Sequence, residues 1–177
     1  MRNDKWRRRT IEMCIFAMLG ALMFCSKIIM EAFPNIHLLG MLTMAFTLTF
    51  RSKALIPIYI YVMLNGLFAG FNAWWIPYLY IWTILWGVTM LLPQRMPKWL
   101  GYIVFPVVCS LHGFLFGILY APAQAIFFGL DFQEMLVWIA GGALFDTMHG
   151  ISNFIVGFLV MPFALLLTKL SKKARII

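Results

Sequence analysis

With 177 residues, 63% of them hydrophobic and only 11% charged, this chain has far more apolar side chains than a soluble core can bury. The mean hydropathy of +0.90 therefore excludes an ordinary soluble domain and predicts one membrane-embedded domain over residues 1–177. The net charge of +8 does not indicate nucleic acid, because the cationic residues occupy four separate hydrophilic gaps. Anionic lipid headgroups are the simpler partner.

The distribution of positive charge predicts the topology. Thirteen of the fourteen Lys and Arg residues fall where alternate gaps between apolar runs would meet one side of a membrane, and only Lys27 breaks this pattern. The thirteen are Arg2, Lys5, Arg7, Arg8, Arg9, Arg51, Lys53, Arg95, Lys98, Lys169, Lys172, Lys173 and Arg175. Because short cytoplasmic loops retain positive charge, we expect an even number of crossings in a bacterial cell membrane, with both chain ends in the cytoplasm.

The first two predicted helices cover residues 10–30 and 36–50. The second is short, roughly 15 residues or ~22 Å, and is either a thin span or partly unwound at its outer end. Ala17 and Ala21 lie four residues apart in the first helix, with Gly20 beside them. Small residues at this spacing let another helix approach closely in lipid. Packing within the chain explains the spacing equally well.

The third and fourth predicted helices cover residues 54–70 and 75–92. Trp75, Tyr78, Trp82 and Trp86 recur at a spacing that aligns them on one face of the fourth helix. Trp86 is too deep for an interfacial aromatic belt. The row is therefore either a wall for a flat ligand or part of a packed core.

The fifth and sixth predicted helices cover residues 99–120 and 143–170. Gly113, Gly117 and Ala121 form a second small-residue stripe, for which internal packing is the preferred interpretation. Between these helices, Asp131 and Glu134 would be costly in lipid. We therefore interpret residues 121–142 as an outer loop containing an interfacial or re-entrant helix, which gives six membrane-spanning helices.

Polar residues within the apolar segments predict a binding pocket. Asp146, His149 and Asn153 share one face of the last helix, and ionisable groups inside a membrane span usually face a cavity or a partner. Further polar residues lie at the outer ends of other helices, namely Glu31, Asn35, His37 and Asn72. A pocket that opens outward accounts for all of them. The alternative is an Asp–His–Asn set that only locks the bundle.

Motifs for nucleotide binding or catalysis are missing from the sequence. It contains no GxxxxGK[ST] phosphate loop, no HExxH zinc motif and no GxSxG nucleophile elbow. We therefore expect no cofactor, no metal and no enzymatic activity. A haem held by His112 and His149 is disfavoured, because these two residues are expected at different depths.

Six short helices, a basic N-terminal segment, Ala17-xxx-Ala21 and an outward polar pocket together resemble the substrate-binding S component of an energy-coupling factor (ECF) vitamin transporter. The residues from Pro34 to Leu39 and from Trp75 to Trp82 further resemble the cobalamin-specific branch of that family. The resemblance covers essentially the whole chain and rests mainly on its architecture.

The resemblance implies a subunit that binds a vitamin from outside, with cobalamin or a related corrinoid as the first candidate. It implies that the outer loops close over the ligand, including a lid between helices five and six. It implies docking through Ala17, Gly20 and Ala21 on a transmembrane scaffold subunit, while two cytosolic ATPase subunits hydrolyse ATP. The expected ligand-binding residues are Glu31, Asn35, His37, Asn72, Trp75, Tyr78, Trp82, Asp146, His149 and Asn153.

Three alternatives stay open at this point. The vitamin could be riboflavin, pyridoxine, folate or pantothenate, because aromatic walls with a few polar groups suit all of them. The chain could instead be a structural or assembly subunit of a membrane complex, without a ligand. It could also be a lipid-modifying enzyme with Asp146 and His149 as an acid–base pair.

Overall fold

The computed structural model describes residues 2–33, 35–93 and 96–176, with side chains from Trp6 onwards. Pro34, Gln94 and Arg95, which the sequence analysis places in turns, lie outside the described residues. The described ranges contain helices and no strand, which confirms the all-α prediction. The α-helices are α1 (Arg2–Ile29), α2 (Leu39–Phe50), α3 (Leu55–Ala69), α4 (Tyr78–Leu91), α5 (Lys98–Phe114), α6 (Phe116–Phe128), α7 (Phe132–Gly157) and α8 (Val160–Lys173).

Three apolar helical segments in the described chain are long enough to cross a membrane: Trp6–Ala32, Leu39–Ala69 and Lys98–Phe128. A fourth is obtained when α7 and α8, which are bent by 51° relative to each other, count as one span. Within Leu39–Ala69 the backbone turns at Arg51, whose φ of 54° ends α2. The α4 helix is apolar but shorter.

Contacts along α1 show that α3 runs parallel to it. Lys53, just before α3, pairs with Glu12, and the ring of Phe68 near the end of α3 packs edge-on against Phe24 at 5.5 Å. Between these points Gly20 lies against Ile60. The α2 helix runs the opposite way, from the level of Trp82 towards the start of α1.

The α2 helix forms the centre of the bundle. Eleven of its twelve residues are buried, and it contacts α1, α4, α5, α7 and α8. Its buried Phe50 packs edge-on against Phe16 of α1 at 5.1 Å. At about 18 Å, α2 is shorter than the ~30 Å of bilayer hydrocarbon.

Glycines bring α5 and α7 into close antiparallel contact. A Cβ atom added at Gly113 would lie 2.8 Å from the carbonyl oxygen of His149, and one added at Gly157 would lie 2.6 Å from Cα of Pro106. Only a residue without a side chain permits these distances between backbones. The predicted small-residue stripe is thus divided between α5 (Gly113) and α6 (Gly117 and Ala121). Gly113 and Gly117 both face α7, which is the internal packing that the sequence analysis preferred.

The helical hairpin between α6 and α7 differs from the prediction. In place of a loop over residues 121–142, α6 continues to Phe128, and the chain turns within three residues. Gly129 adopts the left-handed conformation (φ 67°) that commonly ends a helix. Asp131 and Glu134 form a capping box at the start of α7, each accepting a hydrogen bond from the other's backbone N–H.

The two ends of the bundle are distinguished by the chain termini. Arg7 and Arg8 near the start of α1 line the same cleft as Lys173 and Arg175 at the end of α8, so both termini lie at one end. We call this the terminal end. The opposite end, at which α1 and α3 finish, we call the distal end.

Candidate functional site

Several buried polar side chains lack hydrogen-bond partners, and three of them, His37, Tyr61 and His112, pack against the ring of Trp82. Eight buried side-chain nitrogen or oxygen atoms have no partner among the described residues. They belong to seven residues on α2, α3, α4, α5, α7 and the segment before α2, which we call the polar cluster: His37, Thr43, Tyr61, Asn65, Trp82, His112 and Asn153. Such atoms are rare in folded proteins, so a group of them calls for an explanation.

Trp82 lies at the centre of this cluster. The residue is 1% exposed, and its indole Nε1–H has no acceptor among the described residues. Its ring lies within about 6 Å, centroid to centroid, of five aromatic rings: His112 (5.6 Å), His37 (6.0 Å), Tyr61 (6.1 Å), Tyr78 (6.2 Å) and Phe116 (6.2 Å). Most of these pairs are edge-to-face or tilted, the arrangement that aromatic quadrupoles favour.

Two histidines connect the segment before α2 to α7. The Nε2 atoms of His37 and His149 are in contact, and their ring centroids lie 4.3 Å apart. Ser152 strengthens the connection by donating a hydrogen bond of 3.1 Å to the carbonyl oxygen of Asn35. Burial, followed by the proximity of His149, holds the pKa of His37 well below its usual 6.5. His37 is therefore a neutral group that joins residues 35–38 to α7.

The polar cluster offers both donors and acceptors without a formal charge. The Nε2 atom of His112 lies 3.2 Å from the carbonyl oxygen of Ile81 and donates to it, which leaves Nδ1 as an acceptor. Asn65 is fully buried, and both atoms of its amide lack partners among the described residues. Together with the Trp82 donor, this arrangement suits a neutral ligand with polar edges.

Asp146 is hydrogen-bonded to the start of α6. Both of its carboxylate oxygens accept the backbone N–H of Gly117 at 3.1 Å. The helical run breaks at Leu115, so this carboxylate binds the start of α6, where helix N–H groups lack partners within the helix. Asp146, His149 and Asn153 lie three and four residues apart on α7, and the hydrogen bond of Asp146 connects α7 to α6. Such a contact is what the alternative, bundle-locking interpretation expects, and ligand binding by Asp146 stays a prediction.

Three further predicted site residues have hydrogen-bond or ion-pair partners within the protein. Glu31 is exposed and pairs with Lys27 at 3.3 Å, one helical turn away. Asn72 is exposed and accepts the backbone N–H of Trp74 at 3.1 Å, which stabilises a turn. Trp75 donates its indole N–H to the carbonyl oxygen of Val62 at 2.8 Å.

The aromatic row on α4 is therefore divided among different neighbours. Tyr78 and Trp82 belong to the group of rings around the polar cluster. Trp75 packs against α3, and Trp86 donates to the carbonyl oxygen of Arg51 at 3.1 Å, nearer the terminal end. Only the middle of the predicted wall contributes to this site.

The predicted docking residues on α1 differ in their exposure. Ala17 is exposed and Ala21 is half-buried. Gly20 is buried, and a Cβ atom added there would lie 2.5 Å from Cγ2 of Ile60. Gly20 therefore permits the close approach of α3, while Ala17 and Ala21 remain partly accessible on the outer side of α1.

Sequence reasoning missed Tyr61, Asn65 and Phe116, and it considered His112 only as a haem ligand. A signal for Asn65 existed, because a lone amide in an apolar run of membrane-spanning length is costly unless it has a partner. Tyr61 lies four residues earlier on the same helix face. Phe116, whose ring lies 4.8 Å from that of His149, carried no signal in the sequence.

No metal site is evident in the part of the chain that the structure describes. No three His, Cys, Asp or Glu side chains converge there as ligands. Comparisons with known proteins add no further assignment, since no family model, no curated protein and no solved structure matches the chain significantly.

Proposed function

We propose that this chain is the substrate-binding S component of an ECF-type ABC transporter that imports a vitamin. In this proposal it crosses a bacterial cell membrane six times, and the terminal end faces the cytoplasm. The polar cluster near the distal end receives the ligand from outside. The chain itself catalyses no reaction, and partner subunits supply the energy.

The observation that carries the proposal is the group of unpartnered polar atoms around Trp82. A buried donor or acceptor without a partner costs about 1–3 kcal/mol, and eight such atoms occur in the described chain. An apolar set of the same shape would be more stable. A bound ligand that supplies the missing partners explains why these residues are present.

The surroundings of these atoms support a ligand with a broad apolar face and neutral polar edges. The rings of Tyr78, Trp82 and Phe116 provide aromatic contacts, and the cluster contains no Asp, Glu, Lys or Arg. Cobalamin or a related corrinoid remains the first candidate, and riboflavin and pyridoxine are the alternatives that also lack a carboxylate. A corrinoid enters when residues 35–38 and the α6–α7 hairpin move apart, and that hairpin then acts as the lid.

Docking on a scaffold subunit is assigned to the exposed side of α1. Ala17 and Ala21 lie on this side, and Gly20 is excluded because Ile60 covers it. Small side chains permit close helix contact in lipid, where apolar surface alone gives no specificity. Two cytosolic ATPases complete the transporter.

A binding screen combined with one substitution tests the proposal. The purified chain is titrated with cobalamin, riboflavin, pyridoxine, folate and pantothenate, and binding is followed by calorimetry. The same measurements are made on Asn65→Leu, which removes two unpartnered polar atoms at nearly constant volume. The control is Thr89→Val, because the buried hydroxyl of Thr89 already donates to the Leu85 carbonyl oxygen at 2.7 Å.

We expect one vitamin to bind, and Asn65→Leu to weaken it at least about tenfold, or ~1.4 kcal/mol. The ligand-free Asn65→Leu variant should be more stable by about 1–3 kcal/mol, because the unsatisfied amide is gone. Thr89→Val should change affinity little. A screen without any binder, or an Asn65→Leu variant that gains stability at unchanged affinity, would show that the polar cluster is not a ligand site.

A further inference from the structure

A basic cleft lies between the two chain ends, remote from the polar cluster. It has a volume of 450 Å³ and is lined by Arg7, Arg8 and Ile11 of α1 together with Lys173, Ala174 and Arg175 at the end of α8. Four of these six residues are cationic, and they come from opposite ends of the sequence. The fold therefore brings together two basic segments that the sequence separates by more than 160 residues.

The end of α8 is shaped to hold Arg175 at this cleft. The N–H of Ile176 donates to the Ser171 carbonyl oxygen and the N–H of Arg175 to that of Lys172, both at 3.1 Å. This is the Schellman arrangement, which places Arg175 in the left-handed conformation with a φ of 58°. Glycine usually occupies this position because it adopts the conformation without strain. The cap therefore fixes the backbone of Arg175 beside the cleft, where its charge adds to those of Arg7, Arg8 and Lys173.

The local charge balance leaves an excess of positive charge at this cleft. The first twelve residues and residues 169–176 contain nine Lys or Arg against two acidic residues, Asp4 and Glu12. Glu12 pairs with Lys53, and neither residue lines the cleft. Cations near the end of α8 interact favourably with its helix dipole, whereas Arg7 and Arg8, near the beginning of α1, gain nothing from theirs.

We propose that this cleft binds the phosphodiester group of an anionic membrane lipid. Arginine guanidinium groups match phosphate oxygens with two parallel hydrogen bonds. The depth also fits a headgroup, because the apolar span Trp6–Ala32 begins here, Ile11 lines the cleft and Trp6 is 64% exposed at its edge. A free phosphate offers the same chemistry without an acyl chain. The inference does not depend on the function proposed for the polar cluster.

Native mass spectrometry of the full chain in detergent tests this inference. The protein is mixed with phosphatidylglycerol or with phosphatidylcholine at equal concentrations, and bound lipid is counted. The test variant is Arg7→Gln/Arg175→Gln, which removes one cation from each side of the cleft. The control variant, Lys98→Gln/Lys169→Gln, removes the same charge from exposed positions outside the cleft. Thermal unfolding confirms that both variants are folded.

We expect the native chain to retain phosphatidylglycerol in preference to phosphatidylcholine. A cation that contacts an anionic headgroup contributes about 1 kcal/mol, or roughly fivefold in affinity, so removing two from the cleft should lower affinity by roughly twenty-fivefold. The control removes two charges that do not line the cleft and should lower affinity clearly less. If both variants lost the same affinity for phosphatidylglycerol, binding would depend on general surface charge and not on the cleft, and the inference would be overturned. The inference would also be overturned if the protein retained the two lipids equally and its melting temperature rose with inorganic phosphate or with a single-stranded oligonucleotide.

Discussion

Substituting Gly113 by alanine tests the close contact between α5 and α7. A Cβ atom at this position would lie 2.8 Å from the His149 carbonyl oxygen and 2.9 Å from Cα of Gly150. Both obstacles are backbone atoms, so they cannot be relieved by rotating a side chain. The two helices must separate by several tenths of an ångström, or one of them must bend.

The expected loss of stability is obtained by comparing Gly113, on α5, with Gly142, on α7. An added Cβ at Gly142 meets nothing within 4 Å, so Gly142→Ala gains up to about 1 kcal/mol of helix propensity without a steric cost. Gly113→Ala gains a similar propensity but incurs an overpacking cost of about 1–3 kcal/mol. Because the propensity gains cancel, the difference between the two variants isolates the overpacking cost.

Thermal unfolding in detergent, followed by circular dichroism, measures this difference. We expect Gly113→Ala to melt below Gly142→Ala, by roughly 2–4 °C for each kcal/mol in a chain of this size. Gly142→Ala should melt at or above the native chain. If the two variants melt together, the separation of α5 and α7 is not limited by Gly113, and the packing argument is wrong.

Two further predictions concern other parts of the chain. The pKa of His37 is lower in the folded chain than in the unfolded chain, so the unfolded chain binds more protons below pH 6.5. The free energy of unfolding should therefore fall as pH decreases, by up to ~1.4 kcal/mol per pH unit. His37→Gln should flatten this decrease in melts between pH 8 and pH 5, and an unchanged pH dependence would contradict the assignment. The double variant Ala17→Trp/Ala21→Trp should still bind the vitamin but abolish its uptake by cells that contain the complete transporter. Leu22 is exposed on another side of α1, so the control variant Leu22→Trp should support normal uptake. Loss of binding in the folded double variant would refute docking as the role of this surface.

The predicted helices were recognisable because apolar runs and basic turns both mark the boundaries of membrane segments. The turn at Arg51–Lys53 and the short second helix are found where the sequence placed them. The hairpin between α6 and α7 was missed for a physical reason. Asp131 and Glu134 were interpreted as residues too polar for a helix in lipid, but they satisfy backbone groups at a helix start. Composition alone does not distinguish a capping box from an exposed loop.

The site was only partly predictable. His149 and Asn153 were identified because polar residues in an apolar helix are costly wherever they lie. The same rule does not distinguish Asp146 from these two residues. Asp146 accepts the N–H of Gly117, which lacks a partner within its helix because the helix restarts after Leu115. Neither the spacing nor the residue types around Leu115 predict that interruption.

If the chain is inserted in a membrane as proposed, the short, enclosed α2 helix has a consequence for the order of insertion. The twelve residues of α2 are shorter than the bilayer hydrocarbon, and eleven of them are covered by other helices in the finished structure. During synthesis, α2 therefore cannot be released into lipid as an independent segment. Because α2 packs mainly against α4 and α8, it reaches its final surroundings only after α8, the last helix, has been made.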